Sequence, residues 1–348
     1  MGLDVGSHAA KVLQLKQTKQ GFLVKSIGMA QYPAGSFEGP HIANMKAVGA
    51  TVLKLWQNLG LKDKKVALCA PGNEVITEMP QIPPMKRAAV FSYIDSNVRD
   101  FIMYSPDEVF YGVDILSENP QDGSYTVLIA YTRRGVLYDY EKLMNIAGLD
   151  LSLVDVDYFA LFNAFEATEA IPSEETMALV DIGASKTIVV CIQDKLPVFT
   201  KSFLVGTNEL IFQVMDKFGL SYYEAHRVVS GTIEEGMITV PHEEVKIVVE
   251  FFIDQVVAEL NNLFDYFQNI NRGNKIRRIF LSGGIARSPG VAFQFEKSFG
   301  IPVFVFNPLA SEKVQLESYI DPDYAKAIGP QMAVCFGLAL RQEENGKK

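Results

Sequence analysis

Three glycine-centred stretches decide how this chain can fold: GLDVGSHAAK at residues 2–11, LVDIGASKT at residues 179–187 and FLSGGIARSPG at residues 280–290. The first two share one pattern. An apolar run is followed by Asp, an apolar residue, Gly, a short stretch containing Ser, and a second apolar run. This pattern predicts a β-hairpin in each place. The third stretch puts two adjacent glycines directly after a predicted strand.

Each of these patterns suits one part of a nucleotide. Backbone N–H groups exposed in a tight turn form a nest that binds phosphate oxygens. Asp4 and Asp181, which precede the two turns, can hold hydrated Mg²⁺, a cation that keeps water and prefers carboxylate oxygen. Adjacent glycines let a flat ring or a ribose lie against bare backbone. The alternative interpretation is two ordinary hairpins and a strand-to-helix turn.

The composition is that of a globular protein with more than one lobe. A chain of 348 residues is too long for one simple core, so two lobes are expected. Hydrophobic residues make up 48% and charged residues 21% of the chain, which excludes a disordered polymer. The net charge of −9 argues against nucleic acid as a partner, since no stripe of Lys and Arg is present.

The cysteines and histidines indicate neither disulfides nor a metal site. Cys69, Cys191 and Cys335 lie in apolar surroundings without a Cys-x-x-Cys spacing, which predicts reduced core thiols in a cytosolic protein. The four histidines show no metal-binding spacing. No apolar run approaches 18 residues and no signal peptide leads the chain, so we expect a membrane to be reached only through a partner. Few residues precede Asp4, and we expect a short natural N-terminal segment to be missing.

Apolar periodicity predicts the order of the elements. In the first half we expect hairpin strands at 11–15 and 21–27, a helix at 43–58, a strand at Lys65–Ala70, a β-α-β-β-α unit within 73–149, a strand at Asp150–Val156 and a helix at 158–166. The unit within 73–149 has strands at 75–79, 107–116 and 125–132 and helices at 86–101 and Arg134–Ala147. It is large enough to be a subdomain inserted into the first lobe.

The second half repeats the hairpin plan at 177–203 and continues with helices at 206–218, 221–230 and 243–270, strands at 276–281 and 302–306, and a closing helix at 330–340. We expect the closing helix to pack back on the first lobe. The long helix carries an irregular apolar series, which predicts mostly a core stripe and not a partner groove: Ile247, Phe251, Val256, Leu260, Leu263, Phe267 and Ile270.

Together, the two hairpins and the Gly-Gly turn resemble the actin/Hsp70/sugar-kinase superfamily, in which two related domains hold ATP between two phosphate hairpins and an adenosine loop. Further segments narrow the resemblance: MPQIP at 79–83, PDEV at 106–109, VDVDYFALFNAFE at 154–166, FNP at 306–308 and AVCFGLALR at 333–341. On these segments the chain resembles, over essentially its whole length, the PilM family of type IV pilus assembly proteins, which are actin-like relatives of FtsA.

The resemblance implies an α/β, actin-like (ASKHA) two-lobed ATPase fold with an FtsA-like 1C subdomain inserted in the first lobe. The implied subdomains are 1A (1–72, completed by 150–175 and 325–348), 1C (73–149), 2A (176–205 and 275–324) and 2B (206–274). The implied role is a cytoplasmic ATP-binding scaffold, peripheral at the inner membrane through its partner. It would capture the short cytoplasmic N-terminal peptide of PilN, a bitopic membrane protein, and link motor proteins to the pilus platform.

The same resemblance assigns residues to ATP and Mg²⁺. It gives phosphate contacts to Gly6, Ser7, His8 and Lys11 in the first turn and to Gly183, Ala184 and Ser185 in the second. Asp4 and Asp181 become the carboxylates on the Mg²⁺ side, through water, and Gly283, Gly284 and Ile285 line the adenosine. The alternative is that Lys11 is a solvent-exposed charge on a strand and does not contact phosphate.

One helix departs from the family pattern. The family has Glu-Ala-Glu-x-Leu-Lys beside the adenosine, whereas residues 224–229 read EAHRVV, with His226 and Val229 in place of Glu and Lys. The resemblance leaves Glu224 and Arg227 as polar contacts. Arg227 is two positions before the expected Lys, about 200° away around a helix. We therefore expect weaker ATP binding and poorer base discrimination than in typical members.

Three functions fit this sequence. The first is a binding scaffold stabilised or switched by ATP, with little or no hydrolysis. The second is an ATPase or small-molecule kinase, which needs a carboxylate base near the γ-phosphate. Asp157 is the candidate for that base, and the alternative is that it stabilises a helix N-terminus. The third is an FtsA-like filament-forming protein, and a homo-oligomer stays open. The inserted unit and the absence of a sugar-binding signature favour the scaffold.

Overall fold

The computed structural model describes residues 1–231, 240–271 and 273–341. The chain forms two compact units, one of Met1–Cys69 with Ile146–Lys348 and one of Ala70–Asn145. The subdomain boundaries implied above are finer than this division and stay predictions. The three cysteines are free thiols, and Cys191 and Cys335 are buried.

The first part of the larger unit contains β1 (Gly2–Val5), β2 (Ala9–Thr18), β3 (Gly21–Gln31), β4 (Phe37–Glu38), β5 (His41–Ile42), α1 (Met45–Asn58) and β6 (Lys65–Ala70). Helix α1 begins where the Asn44 side chain accepts a hydrogen bond from the N–H of Ala47, which satisfies a donor that the first helical turn leaves without a partner. Its buried face carries Val48, Val52 and Trp56. The helix predicted at 43–58 is confirmed.

The smaller unit contains β7 (Ile76–Glu78), β8 (Gln81–Ile82), α2 (Val90–Ser96), β9 (Val109–Glu118), β10 (Tyr125–Arg133) and α3 (Arg134–Ala147). Strand β10 pairs antiparallel with β9, β7 and β8. The core of this unit includes Ile94, Val127 and Ile129.

The single helix predicted at 86–101 is wrong. Helix α2 covers only Val90–Ser96 and is flanked by 3₁₀ turns at Arg87–Ala89 and Val98–Asp100. At its end the Asn97 side-chain amide donates to the carbonyl of Tyr93 at 2.7 Å. A short polar side chain that bonds the backbone in this way competes with continuation of the helix.

The rest of the larger unit contains β11 (Asp150–Val156), α4 (Asp157–Thr168), β12 (Met177–Ile182), β13 (Thr187–Gln193), β14 (Leu196–Phe203), α5 (Thr207–Phe218), α6 (Tyr222–Ser230), α7 (His242–Ile270), β15 (Arg278–Gly283), α8 (Val291–Phe299), β16 (Val303–Val305), β17 (Val314–Leu316), α9 (Pro322–Ile328) and α10 (Ala333–Leu340).

The two large sheets repeat one plan. The first has the strand order β11-β6-β1-β2-β3-β17 and the second has β16-β15-β12-β13-β14. In each, an antiparallel hairpin (β1–β2 or β12–β13) is extended by a strand parallel to its first member, β6 or β15. The repeated hairpin plan is thereby confirmed. Strand β17, parallel to β3, was not predicted.

The closing helix α10 packs on α4 and β1, as predicted. A Cβ on Gly337 would lie 1.7 Å from the carbonyl oxygen of Ala160 on α4. Only glycine lets the two helix backbones approach this closely.

The apolar stripe predicted on the long helix α7 is only partly right. Val256, Leu260 and Phe267 are buried, whereas Ile247, Phe251 and Ile270 are more than half exposed. The core side of the helix also carries Val248, Phe252 and Ile253. Because apolar residues occupy neighbouring positions of this helix, the sequence period does not define a single face.

Candidate functional site

The two predicted phosphate turns face each other. Turn 1, residues 6–9, joins β1 to β2, and turn 2, residues 183–186, joins β12 to β13. Both lie between paired residues, Val5 with Ala10 and Ile182 with Thr187. The Ser7 Oγ donates a hydrogen bond to the Ser185 Oγ at 2.8 Å. The structure thus brings together the two predicted hydroxyl residues from positions 178 residues apart.

Backbone hydrogen bonds hold turn 2. The Gly183 N–H donates to the Lys186 carbonyl at 2.9 Å, and the first residues of α5 bind the same turn: the Thr207 N–H donates to Gly183 O at 2.9 Å and the Asn208 N–H to Ala184 O at 2.8 Å. Gly206 lies against the turn, and a Cβ there would be 2.5 Å from the Ala184 oxygen.

The two predicted Mg²⁺-side carboxylates have different surroundings. Asp4 accepts a hydrogen bond from the Lys11 Nζ at 2.8 Å across the β1–β2 hairpin. Burial by itself would lower the pKa of Lys11, but the Asp4 carboxylate, together with Asp181 and Cys335, outweighs it, so the pKa is raised and Lys11 stays charged. Asp181 accepts from the Ser282 hydroxyl at 2.6 Å, and burial raises the pKa of its carboxyl group.

Asp157, the predicted catalytic base, is the first residue of α4 and is buried. Its Oδ2 accepts from the Nζ of Lys186, the last residue of turn 2, at 2.5 Å. Its Oδ1 accepts from the N–H of Tyr158 at 2.8 Å. Both carboxylate oxygens are therefore already bonded, and the catalytic role stays a prediction.

His8 of turn 1 reaches helix α6. Its ring stacks on His226, with centroids 4.4 Å apart and planes within 8° of parallel. Its Nδ1 lies 3.0 Å from the Tyr222 hydroxyl, which donates to Asn208 Oδ1 at 2.9 Å. The Tyr222 oxygen is thus left to accept from His8, which puts the ring proton on Nδ1. Burial, with help from His226 and Lys11, lowers the pKa of His8 to about 3, so the ring is neutral.

The other polar residues of helix α6 have contacts within the protein, and their predicted contacts with the nucleotide stay predictions. The Glu224 carboxylate accepts from the N–H and the hydroxyl of Ser221 in a capping box, so the predicted contact with the nucleotide has a competing helix-capping role. The Arg227 guanidinium lies 5.9 Å from the Tyr223 ring centroid. Val229 is partly buried against the core of the second sheet. Burial and Arg287 lower the pKa of His226.

The Gly-Gly turn lies at the end of β15. Gly283 has φ +90°, and a Cβ there would be 2.1 Å from the carbonyl oxygen of Ile182, so glycine is required. The Ile285 side chain belongs to the core of the second sheet. Only the backbone of Ile285 could therefore make the predicted contact with adenosine. Gly284, in contrast, has open space where a Cβ would stand.

The sequence prediction missed two residues of this site, Lys186 and Tyr222. Lys186 stands inside the second quoted turn, where a cation beside a phosphate nest was a usable signal. Tyr222 had no such signal, because its role depends on His8, which is 214 positions away.

Within the described ranges, no three His, Cys, Asp or Glu side chains are grouped so that they could hold a metal ion. Among the same residues, no helix is both long enough and apolar enough to cross a membrane.

Comparisons with known proteins agree on the family and the fold. The family model for type IV pilus assembly protein PilM matches residues 2–343. A solved structure titled PilM-PilN type IV pilus biogenesis complex has a TM-score of 0.80, with 20% identity and 97% of each chain covered.

Two further solved structures share the fold at lower similarity. Ethanolamine utilization protein EutJ from Carboxydothermus hydrogenoformans gives a TM-score of 0.56 at 14% identity, covering 97% of this chain and 88% of that one. MreB 5 of Spiroplasma citri bound to AMPPNP gives 0.51 at 12% identity, covering 97% and 94%. The predicted actin-like ATPase fold is confirmed.

Proposed function

The chain belongs to the family of type IV pilus assembly protein PilM, and from this membership we propose that it is an ATP-binding scaffold of the pilus assembly platform. It captures the N-terminal peptide of PilN on the cytoplasmic side and meets the inner membrane through that partner. It also stands between the platform and the motor proteins.

One observation carries the nucleotide-binding part: turn 1 and turn 2 meet through the Ser7–Ser185 hydrogen bond at 2.8 Å. Each hydroxyl can donate to a phosphate oxygen instead, and the positive charge of Lys11 stands beside turn 1. The MreB 5 structure, which shares the fold, is bound to AMPPNP.

The residues present fit a nucleotide phosphate. Ser7, Ser185 and Lys11 would donate to its oxygens, and the open backbone at Gly284 would take the nucleoside side. Bound Mg²⁺ would neutralise phosphate charge beside Asp4 and Asp181. Because both carboxylates already have protein partners, they would hold the ion through water molecules, as Mg²⁺ commonly prefers.

The hydrogen bonds that the Asp157 carboxylate already makes favour a scaffold over an enzyme. A general base must reach the proton that it removes. Here one oxygen of Asp157 accepts from the Tyr158 N–H and the other from the Lys186 ammonium. We expect phosphate release slower than about 1 s⁻¹, the lower end of ordinary turnover.

Titration calorimetry with Mg-ATP tests nucleotide binding. We expect wild-type protein to bind and Asp181→Ala to bind more weakly, because a carboxylate on the Mg²⁺ side is lost. Asp216→Ala, on the exposed face of α5, is the matched control and should bind as wild type does. Equal affinity of Asp181→Ala and wild type would show that the metal-side assignment is wrong.

A pull-down with a synthetic PilN N-terminal peptide, with and without Mg-ATP, tests partner capture. A scrambled peptide of the same composition is the control. Deleting residues 73–149 should remove peptide capture, with retained Mg-ATP binding as the check that the rest has folded. Full capture by the deletion variant would place the peptide site elsewhere.

A further inference from the structure

An ion pair joins turn 2 to the start of helix α4. The Lys186 Nζ donates to the Asp157 Oδ2 at 2.5 Å, and the two side chains retain 19% and 8% of their exposure. The pair is therefore largely shielded from water. Lys186 follows Ser185 directly, so it lies in the same turn as the hydroxyl that meets turn 1.

The pair lies within the charged cluster of the proposed phosphate site. Asp181, at the end of β12, is close enough to Asp157, Asp4 and Lys11 for all three charges to act on the pKa of its carboxyl group. Asp157 of α4 therefore belongs to the same charged cluster as Asp4 and Asp181, the carboxylates of the two hairpins. A base can activate water beside a phosphate on these turns from such a position.

We propose that Lys186 is a positioning residue that keeps the Asp157 carboxylate from activating water, so that the site binds ATP without turning it over. This inference rests on the proposed nucleotide-binding function and deepens it. The Lys186 ammonium occupies Oδ2 and the Tyr158 N–H occupies Oδ1. Each donor takes one of the two lone-pair sites on its oxygen, so the ammonium and the N–H restrict where a water molecule can donate to Asp157.

Removing the amine frees the acceptor site on Oδ2 that the ammonium occupies. Asp157 then accepts a proton from a water molecule whose oxygen forms the new bond to the γ-phosphorus. The bond from that phosphorus to the bridging oxygen breaks, and its electron pair leaves with ADP. The products are ADP and inorganic phosphate, and the proton passes from Asp157 to solvent.

The central experiment measures phosphate release at saturating Mg-ATP in wild type, Lys186→Met, Asp157→Asn and the double variant. General bases typically contribute about 100- to 10,000-fold, so we expect Lys186→Met to release phosphate at least about tenfold faster than wild type. Adding Asp157→Asn should return the rate to the wild-type level. Lys201→Met, the same change at an exposed lysine of β14, is the matched control and should not alter the rate.

Two readouts do not depend on turnover. Calorimetry with AMPPNP should show weaker binding by Lys186→Met, because a positive charge leaves turn 2. Thermal unfolding of the ligand-free proteins should show a lower midpoint for Lys186→Met that Asp157→Asn partly restores, because the uncompensated buried charge is then removed. If Lys186→Met does not fold, Lys186→Ala replaces it, since Ala also removes the amine that donates to Asp157.

The outcomes distinguish failure of the proposed role of Lys186 from failure of the proposed nucleotide-binding function. AMPPNP binding with no faster phosphate release in Lys186→Met, or in Lys186→Ala where that replaces it, overturns the role of Lys186. So does faster release that survives Asp157→Asn. A wild-type protein that fails to bind AMPPNP contradicts the proposed nucleotide site itself, and the inference with it.

Discussion

Turn 1 and turn 2 occupy equivalent positions in the two sheets, yet different kinds of atoms hold them. Turn 2 is tied down by backbone hydrogen bonds from Thr207 and Asn208 of α5. At turn 1 one backbone bond, from the Tyr32 N–H to the His8 carbonyl at 3.1 Å, is joined by side-chain contacts: Asp4 pairs with Lys11 across the hairpin, and His8 stacks on His226. Lys11, two residues after turn 1, binds Asp4 of its own hairpin, whereas Lys186 of turn 2 reaches Asp157 on α4.

This difference indicates that one sequence pattern can serve two mechanical roles. A backbone-anchored turn depends on the shape of its neighbours, so added volume disturbs it most. A turn held by side chains depends on charge and protonation, so pH and charge substitutions disturb it most. The predictions below, ordered from the largest expected effect, test this contrast.

Removing Asp4 should be the most damaging change. Asp4→Ala leaves the Lys11 ammonium unpaired in a pair whose side chains are only 19% and 15% exposed. We expect the free energy of unfolding to fall by about 3 kcal/mol, measured by urea denaturation. Asp181→Ala should cost about 1 kcal/mol, since it removes one hydrogen bond from Ser282.

The double variant Asp4→Ala/Lys11→Met is the control for that result, because it removes the unpaired charge as well. It should recover much of the loss. Equal losses for Asp4→Ala and Asp181→Ala would show that the pairing with Lys11 does not distinguish the two hairpins.

Added volume should harm turn 2 more than turn 1. In Gly206→Ala the new Cβ would meet the Ala184 oxygen at 2.5 Å and the Lys186 nitrogen at 2.7 Å, both backbone atoms. We expect about 2 kcal/mol of destabilisation. In Gly6→Ala the nearest atom is the Ala9 oxygen at 3.3 Å, and the loss should be smaller. The reverse order in urea denaturation would contradict backbone anchoring of turn 2.

Acid should weaken turn 1 specifically. The pKa of His8 is lowered to about 3 in the folded protein from an ordinary 6.5. Below about pH 6.5 the His8 ring is therefore protonated in the unfolded chain but stays neutral in the folded protein. Stability is therefore full above pH 6.5 and falls as the pH drops toward 3, by up to about 1.4 kcal/mol per pH unit for this group. His226, whose pKa is also lowered, adds to the slope.

Urea denaturation between pH 7.5 and 5.5 measures this effect. His8→Gln should flatten the pH dependence, whereas His41→Gln, at an exposed histidine, should leave it unchanged. An unchanged slope in His8→Gln would show that the stacked pair does not resist protonation.

The smallest effect should come from the bond that joins the turns. Ser7→Ala and Ser185→Ala each remove the same hydrogen bond, and each should cost about 1 kcal/mol. In a double-mutant cycle the second change should cost less than the first, because the bond is already lost. Strict additivity would show that the two hydroxyls do not interact in solution.

Much of the fold could be predicted from local sequence. Strands Lys65–Ala70 and Asp150–Val156 and helix Arg134–Ala147 have the bounds that their apolar periods indicate. The failures have local causes too. Helix α2 is shortened where the Asn97 side chain bonds the backbone, and on α7 adjacent apolar positions such as Ile247 and Val248 left the buried face undefined.

The sequence by itself determined the two hairpins and the glycine turns, because alternation and backbone freedom are properties of neighbouring residues. Only the tertiary structure decided which side chains meet: Ser7 with Ser185, His8 with His226, and Lys186 with Asp157. These contacts join residues far apart in the chain. Their formation depends on how the repeated sheets and their helices pack, and no local pattern at either residue records its partner.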